Sequence, residues 1–323
     1  MGFRILAVDG STIALPVTEQ LREKYGETKN QTDVGIVKAK ASVLYDIMNH
    51  LVLDAALGAL FGDERDMALM YKKKWQKNDL IIYDRGYPSY DFVNEHIKNN
   101  IDCLVRVKVN HSGLVVDFVK SGEMSKIIDM IPGKNQPLKG KEYNKHTILK
   151  VRLVRVDLPS GEVEVLMTTL IDEGKYENKI FKELYFMRWG IETFYDELKN
   201  KLKVEYFTGY SDNSIQQDFH CAIFISNVQS IIVNDLQEEL TEQNKGKKHE
   251  YKINTNVSYG FLKNRILELL FKDAPLANVF KEIEGLFLKH TVPIRKNRNY
   301  PRDIGQYRRK LKPKVTKNQR DAV

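Results

Sequence analysis

The sequence predicts an α/β protein: a mixed sheet with helices on both faces, interrupted by an all-β insertion and followed by a helical C-terminal region. Three observations carry this. Two short apolar runs, FRILAVDGS and NDLIIYDRGY, each end in an aspartate with a glycine just beyond it: Asp9 before Gly10, and Asp84 before Arg85-Gly86. Strand-like and helix-like segments then follow one another up to about residue 110, as in a sheet covered by helices. From His111 to Asp172 the texture turns β-rich before helical spacing returns.

The first run is apolar until Asp9, so it reads as a strand presenting a carboxylate at its end. Turn chemistry alone also accounts for an Asp in that place. Strands are expected at Ala39–Tyr45 and Leu51–Leu57, then a helix from about Glu64 to Trp75. Leu80, Ile81, Ile82 and Tyr83 form a continuous apolar run, the pattern of a strand buried on both faces. A helix at Tyr90–Lys98 and a strand in IDCLVRVKV complete the first part of the α/β domain, residues 1–110. Within the expected insertion, 111–177, two β-rich runs joined at Pro159-Ser160-Gly161 make a hairpin. The second part of the domain is placed at 178–241 and ends in DFHCAIFISNVQSIIVNDLQEEL, a mostly apolar helix expected to be buried. Polar residues 242–250 read as an internal linker, 251–294 as a helical region containing SYGFLKNRILELLF, and 295–323 as a basic tail.

Within the second part, Tyr185–Lys199 carries no Pro and only one Gly, Gly190, and Leu184, Ile191, Leu198 and Leu202 recur at helical spacing. Read as one helix, it places Tyr185, Arg188, Glu192 and Lys199 within a stripe roughly 60° wide, along about 20 Å of one edge. Ordinary i,i+4 pairing on a solvated face also produces such an edge. The two aspartates ahead of it change the reading. Two strand-end carboxylates and a helical one form an oxygen-only trio suited to hard divalent cations such as Mg²⁺. A pair of such ions clamps the attacking and leaving oxygens of a phosphoryl displacement. Arg188 and Lys199, with Tyr185 beside them, suit the flanking phosphates, Arg through its fork and Lys as a point charge.

The spacing Tyr185, Arg188, Glu192, Lys199 resembles the YREK signature of DDE transposases in the insertion-sequence family-four group. VDGS at Asp9, KASVLYDIMNHLVLDAAL, LIIYDRGY at Asp84 and NYPR at Arg302 resemble the same family, so the likeness runs over nearly the whole chain. The resemblance implies a ribonuclease-H-like sheet, with a β insertion ahead of the glutamate helix. It implies catalytic and metal-binding roles for Asp9, Asp84 and Glu192, with two divalent cations, Mg²⁺ or Mn²⁺. Asp9 would bridge both ions, and Asp84 and Glu192 would each complete one site. Arg188 and Lys199 would contact phosphates at the transposon end, and Tyr185 would support the distorted strand there. The partners implied are double-stranded DNA, as transposon ends and target, and a second protomer in a paired-end complex. Family members cut donor DNA at the element ends and join the freed 3′-hydroxyl to target DNA, some through a hairpin.

Two departures stand out. Members usually carry an end-recognising domain ahead of the first aspartate, whereas Asp9 stands almost at the start here; the expectation is a truncated chain, a misassigned start codon, or DNA held by the tail and insertion alone. Close relatives also flip a base onto a Trp of the insertion, whereas Trp75 and Trp189 both lie outside it.

Composition supports an anionic partner: the 323 residues carry 51 Lys and Arg against 43 Asp and Glu, a formal charge of +8. The tail holds basic residues at Arg295, Lys296, Arg298, Arg302, Arg308, Arg309, Lys310, Lys312, Lys314, Lys317 and Arg320, against Asp303 and Asp321. A segment of this kind binds duplex DNA by releasing condensed counterions; a solvated charged end is the plainer reading. Two cysteines in apolar runs, no apolar stretch approaching about 20 residues and no signal-peptide pattern lead to the expectation of a cytoplasmic protein without a membrane partner. A haloacid-type phosphatase, also suggested by VDGS, is disfavoured because its nucleophile would fall at Ala7. The histidines show no metal-ligand spacing. A catalytically silent transposase remnant that only binds DNA is the main rival, and a nuclease without a joining step the lesser one.

Overall fold

The computed structural model describes residues 2–29, 35–271 and 275–295. In chain order the first elements are β1 (Arg4–Ala14), α1 (Glu19–Tyr25), β2 (Glu27–Lys29), β3 (Gly35–Asp46) and β4 (Leu51–Ala59). Next come α2 (Glu64–Leu69), which runs on as a 3₁₀ turn over Met70–Lys74, β5 (Asp79–Tyr83), α3 (Tyr90–Lys98) and β6 (Asp102–Val107). Then follow α4 (Gly113–Ser121), β7 (Ser125–Met130), β8 (Leu149–Asp157), β9 (Val163–Thr168), α5 (Asn178–Phe186) and α6 (Trp189–Asn200). The remainder is α7 (Asp212–Asp235), α8 (Gln237–Asn244), β10 (Tyr251–Ile253), α9 (Thr255–Phe271), α10 (Leu276–Lys289) and β11 (Thr291–Pro293).

The helix starts follow local chemistry. Asp63, Ser89, Ser112 and Ser211 each accept a backbone N–H of the first turn, and Gly122, with φ +72°, closes α4 in the left-handed region. Among the described residues, nine strands form one mixed sheet in the order β2-β3-β1-β5-β6-β9-β8-β7, with β4 also paired to β3. β1, β5 and β6 are parallel, and β6, β9, β8 and β7 are successively antiparallel. All five residues of β5 are buried, as its continuous apolar run requires. In the register of β1 on β5, Arg4 faces Asp79 and Val8 faces Tyr83. The next residue of each, Asp9 and Asp84, therefore leaves two adjacent parallel strands at the same end.

The chain divides into two compact units. The first holds Met1–Ser11 and Lys40–Phe194, and the second holds Thr12–Ala39 and the chain from Tyr195 on. In the first unit, Leu6, Val8, Leu44, Ile81, Tyr83 and Cys103 pack one sheet face against Ala68, Tyr71 and Phe92 of the following helices. Further along, Val115 and Phe118 of α4 pack on Leu149, Val151 and Val165. In the second unit, Ile232, Leu236, Leu240, Ile253, Leu262, Val279, Ile283 and Phe287 share one core. The expected 242–250 linker thus begins inside α8, and apolar residues on both sides of it join a single cluster. Among the described residues, no helix is long and apolar enough to cross a membrane.

Four expectations change. The stretch 111–172 is not all-β: it contains α4, and β9 and β8 extend the main sheet from β6. The run GLVVDFVKS forms a helix because Ser112 caps its start and Gly122 its end. Tyr185–Lys199 is not one helix but α5 and α6 with a turn at Met187-Arg188. α7 is only partly buried, with Phe224 and Ile231 about half exposed and Cys221 exposed. Finally, α1 and β2 precede β3 where neither was expected.

Arg152 of β8, 1% exposed, fixes the approach to α5. It donates to Ser125 Oγ (2.8 Å), to the Tyr176 carbonyl (2.7 Å) and to Asn178 Oδ1, and stacks over the Phe181 ring. Arg152→Met keeps the apolar bulk but leaves those acceptors unpaired. It should lower the unfolding free energy by about 2–4 kcal/mol in urea titrations followed by circular dichroism. A loss under about 0.5 kcal/mol, ordinary for a surface change, would contradict this role.

Candidate active site

Asp9 and Asp84 are positioned by the parallel register. β1 does not end at Asp9, as expected, but continues to Ala14; Asp9 is the point where its pairing with β5 stops. Glu192 comes from the first turn of α6, and Arg188 from the turn before it. That turn is closed by i−3 bonds: Arg188 N–H to the Tyr185 carbonyl, Gly190 N–H to Met187 and Ile191 N–H to Arg188. Gly190, at the start of α6, faces Ile47 and Tyr45, where a Cβ would stand in ordinary contact 3.4 Å from Ile47 Cγ2.

These elements gather charge around two guanidiniums. Arg188, 3% exposed, donates through Nη1 to Asp9 Oδ2 (3.3 Å) and through Nη2 to Glu192 Oε1 (2.5 Å). Its Nε is buried without a hydrogen-bond partner, and its plane lies near the Tyr185 and Trp189 rings. Arg106 of β6 donates to Asp84 Oδ1 from Nε (3.0 Å) and to Glu164 of β9 from Nη1 (2.7 Å). The Tyr185 hydroxyl also donates to Asp84 Oδ1 (3.0 Å). Tyr185 and Arg188 are thus buried and bonded to carboxylates, where the sequence reading had set them against DNA phosphates. Arg106 and Glu164 were missed. The available signal was a charged residue between the buried Val105 and Val107.

The two aspartates are tuned in opposite directions. Burial, together with the nearby Asp84 and Glu192 charges, pushes the Asp9 carboxyl up to about 6, against the pull of the Gly10 N–H and Arg188. Burial also acts to raise Asp84, but the Arg85 N–H, Arg106, Arg188 and Tyr185 outweigh it and hold it below the usual carboxylate range. Among the described residues, no three His, Cys, Asp or Glu side chains stand together in a metal-sized group, and Arg188 stands between Asp9 and Glu192. The donor set nevertheless fits a hard cation: it is all oxygen, partly buried, and already drawn onto positive charge. Lys199 lies two turns beyond Glu192 along α6 and belongs to the second unit. Its pKa is lowered by burial, with Lys38 adding to this and Glu205 opposing it. Arg295 is exposed at the end of the described chain; Lys296, Arg298, Arg302, Arg308, Arg309 and Lys310 lie outside the described residues.

The raised Asp9 pKa carries a stability consequence. Between its unfolded value of 3.8 and about 6, the folded protein holds a proton that the unfolded chain has lost. Stability should therefore fall as pH rises through that window, by on the order of 2–3 kcal/mol, and stay level above it with respect to this group. Urea midpoints measured from pH 4 to 7 should show that loss in the wild type and lack it in Asp9→Asn. An identical pH dependence in both proteins would contradict the assignment.

Comparison with known proteins bears on the family of the chain. Residues 1–228 match the family model described as the transposase DDE domain. The transposase InsG for insertion sequence element IS4, from Escherichia coli (strain K12), is 23% identical over 210 residues, 62% of this chain and 45% of that protein. The chain thus spans less than half the length of that curated relative. The piggyBac transposase, solved by cryo-electron microscopy as a synaptic complex with hairpin DNA, superposes with a TM-score of 0.50. That match has 9% identity and covers 99% of this chain and 60% of that one, so it speaks for the fold alone. The mixed sheet is ribonuclease-H-like, and the chain belongs to the transposase DDE domain family.

Proposed function

We propose that this transposase cleaves DNA at transposon ends and joins the freed ends to target DNA, using Asp9, Asp84 and Glu192 as its catalytic carboxylates. The observation that carries the reading is the convergence of Asp9 and Glu192 on the Arg188 guanidinium, beside Asp84 on Arg106. An Asp9 carboxyl raised to about 6 by burial first, and then by the Asp84 and Glu192 charges, belongs to a site suited to positive charge. The three would hold two divalent cations, Mg²⁺ or Mn²⁺, which when bound supply Lewis-acid stabilisation of the attacking and leaving oxygens.

The chain's own groups do the rest. Asp84, held below the usual carboxylate range by the Arg85 N–H, Arg106, Arg188 and Tyr185, is the ionised oxygen ligand of the set. Arg188, buried and always charged, would turn its fork from the carboxylates to a phosphodiester, a reading supported by its unpartnered Nε–H. Lys199 adds a point charge for the flanking phosphate, and Tyr185 supports the strand distorted there. Arg106, anchored by Glu164, orients Asp84. The basic stretch from Arg295 to Arg320 supplies non-specific affinity for double-stranded DNA, and two protomers pair two ends. A catalytically silent remnant that only binds DNA is the second reading, favoured by the hold of Arg188 on the same carboxylate oxygens that an ion would use.

On plasmid DNA carrying the element's own ends, with Mg²⁺ or Mn²⁺, the protein should nick at the ends and transfer strands, and chelation should stop both. Asp84→Ala should abolish nicking and transfer while leaving end binding, measured by gel shift, nearly intact. Arg188→Ala should weaken both binding and chemistry. Cleavage by Asp84→Ala at the wild-type rate would sink the mechanism, and a wild type that binds ends without nicking would establish the silent remnant.

A further inference from the structure

A fourth carboxylate reaches the same strand ends from the other side of the sheet. Successive residues of a strand face opposite ways. Leu6 and Val8 of β1, with Ile81 and Tyr83 of β5, belong to the face covered by Ala68 and Tyr71 of α2 and its 3₁₀ extension. Gly10 continues that face, while Asp9 looks away from it toward Arg188. α6 lies on Asp9's side, because the Phe194 ring packs on Tyr45 (centroids 5.1 Å apart), the neighbour of the oppositely directed Leu44.

Glu64, the first residue of α2, is held against both aspartate turns. A Cβ on Gly10 would lie 3.5 Å from the Glu64 carboxyl carbon and from Oε1, and one on Gly86 would lie 3.6 Å from Oε2. The two glycines that follow the two aspartates therefore border one carboxylate, each at the ordinary contact distance of a Cβ. Tyr87 supplies an independent observation. It is 1% exposed, its hydroxyl has no hydrogen-bond partner, and its backbone N–H donates to the Asp84 carbonyl (3.3 Å), which sets it on the Asp84 turn where the Asp9, Glu64 and Asp84 charges act on it. A buried hydroxyl left unpaired among carboxylates is costly unless a further group completes it. The plainer account is that Glu64 serves only as the partner of Lys40 (3.3 Å) on a helix first turn. That account leaves the Tyr87 hydroxyl, and the bordering of both glycines by Glu64, without explanation.

We propose that Glu64 is a fourth carboxylate of the divalent-cation site, meeting Asp9 and Asp84 from the sheet face opposite Glu192, with the Tyr87 hydroxyl as a hydrogen-bond donor to the same site. This rests on the reading of Asp9, Asp84 and Glu192 as a cation site. The test is Mn²⁺ titration of the full chain without DNA, with free Mn²⁺ followed by electron paramagnetic resonance. The variants are Asp9→Asn, Glu64→Gln, Glu64→Asp and Tyr87→Phe, each checked for its thermal melt. Glu64→Asp is the deciding variant, since it keeps the charge and shortens the reach by one methylene. Asp9→Asn should lose the tight site, Glu64→Gln and Glu64→Asp should each weaken it by about tenfold or more, and Tyr87→Phe by a smaller factor. Wild-type affinity in a folded Glu64→Asp, with the site lost in Asp9→Asn, overturns the role of Glu64 and leaves the proposed function standing. A wild type that takes up no Mn²⁺ overturns both.

Discussion

Three acidic side chains brought to one end of a parallel strand pair repel one another, and the first unit is arranged around the means of holding them. Arg188 is the central compensation: a nearly buried guanidinium shared by Asp9 and Glu192. A buried charge persists only where partners satisfy it, so its position constrains everything that carries it. The chain breaks helical geometry at Met187-Arg188 to deliver the side chain, and the restarted helix faces Tyr45 and Ile47 at Gly190. Asp84 depends on a second guanidinium, Arg106, which Glu164 holds from the neighbouring strand.

Register links these partners across long stretches of sequence. Asp9 and Asp84 are 75 residues apart in the numbering yet step off paired positions of β1 and β5. Arg106 and Glu164 reach each other because β6 and β9 are antiparallel neighbours, with Arg106 paired to Leu166. Arg152 carries the same logic outward, joining β8 to the loop and helix that deliver Tyr185 and Arg188. A one-residue slip between β1 and β5 would turn one aspartate to the wrong face, so the buried apolar residues of β5 indirectly fix the chemistry.

Much of this was legible in the residues, and what was not has identifiable causes. β5 and α3 could be read because a continuous apolar run and a Ser-capped amphipathic segment are local signals. The pairing of Asp9 with Asp84 was legible as a repeated pattern of apolar run, Asp and Gly. Tyr185, Arg188 and Glu192 do come together, although the single helix used to argue for them is two. The break was invisible because i−3 bonding at Arg188 needs no Pro and leaves the i,i+4 relation to Glu192 intact. α4 was misread because its valines favour strands locally, whereas the caps at Ser112 and Gly122 and the packing of Val115 and Phe118 favour a helix. Arg106, Glu164 and Glu64 were missed because their partners are set by strand order and helix placement, which spacing along the chain does not encode.

The central claim is that the carboxylates now shared between Arg188 and Arg106 form the divalent-cation centre of a DNA transposase. The most direct measurement is an anomalous difference map from crystals of the full chain soaked in Mn²⁺. The account predicts density bound by Asp9 together with Asp84 or Glu192, with the Arg188 guanidinium drawn off at least one of the oxygens it now holds. Manganese bound elsewhere, with Arg188 still bridging Asp9 and Glu192, would contradict it.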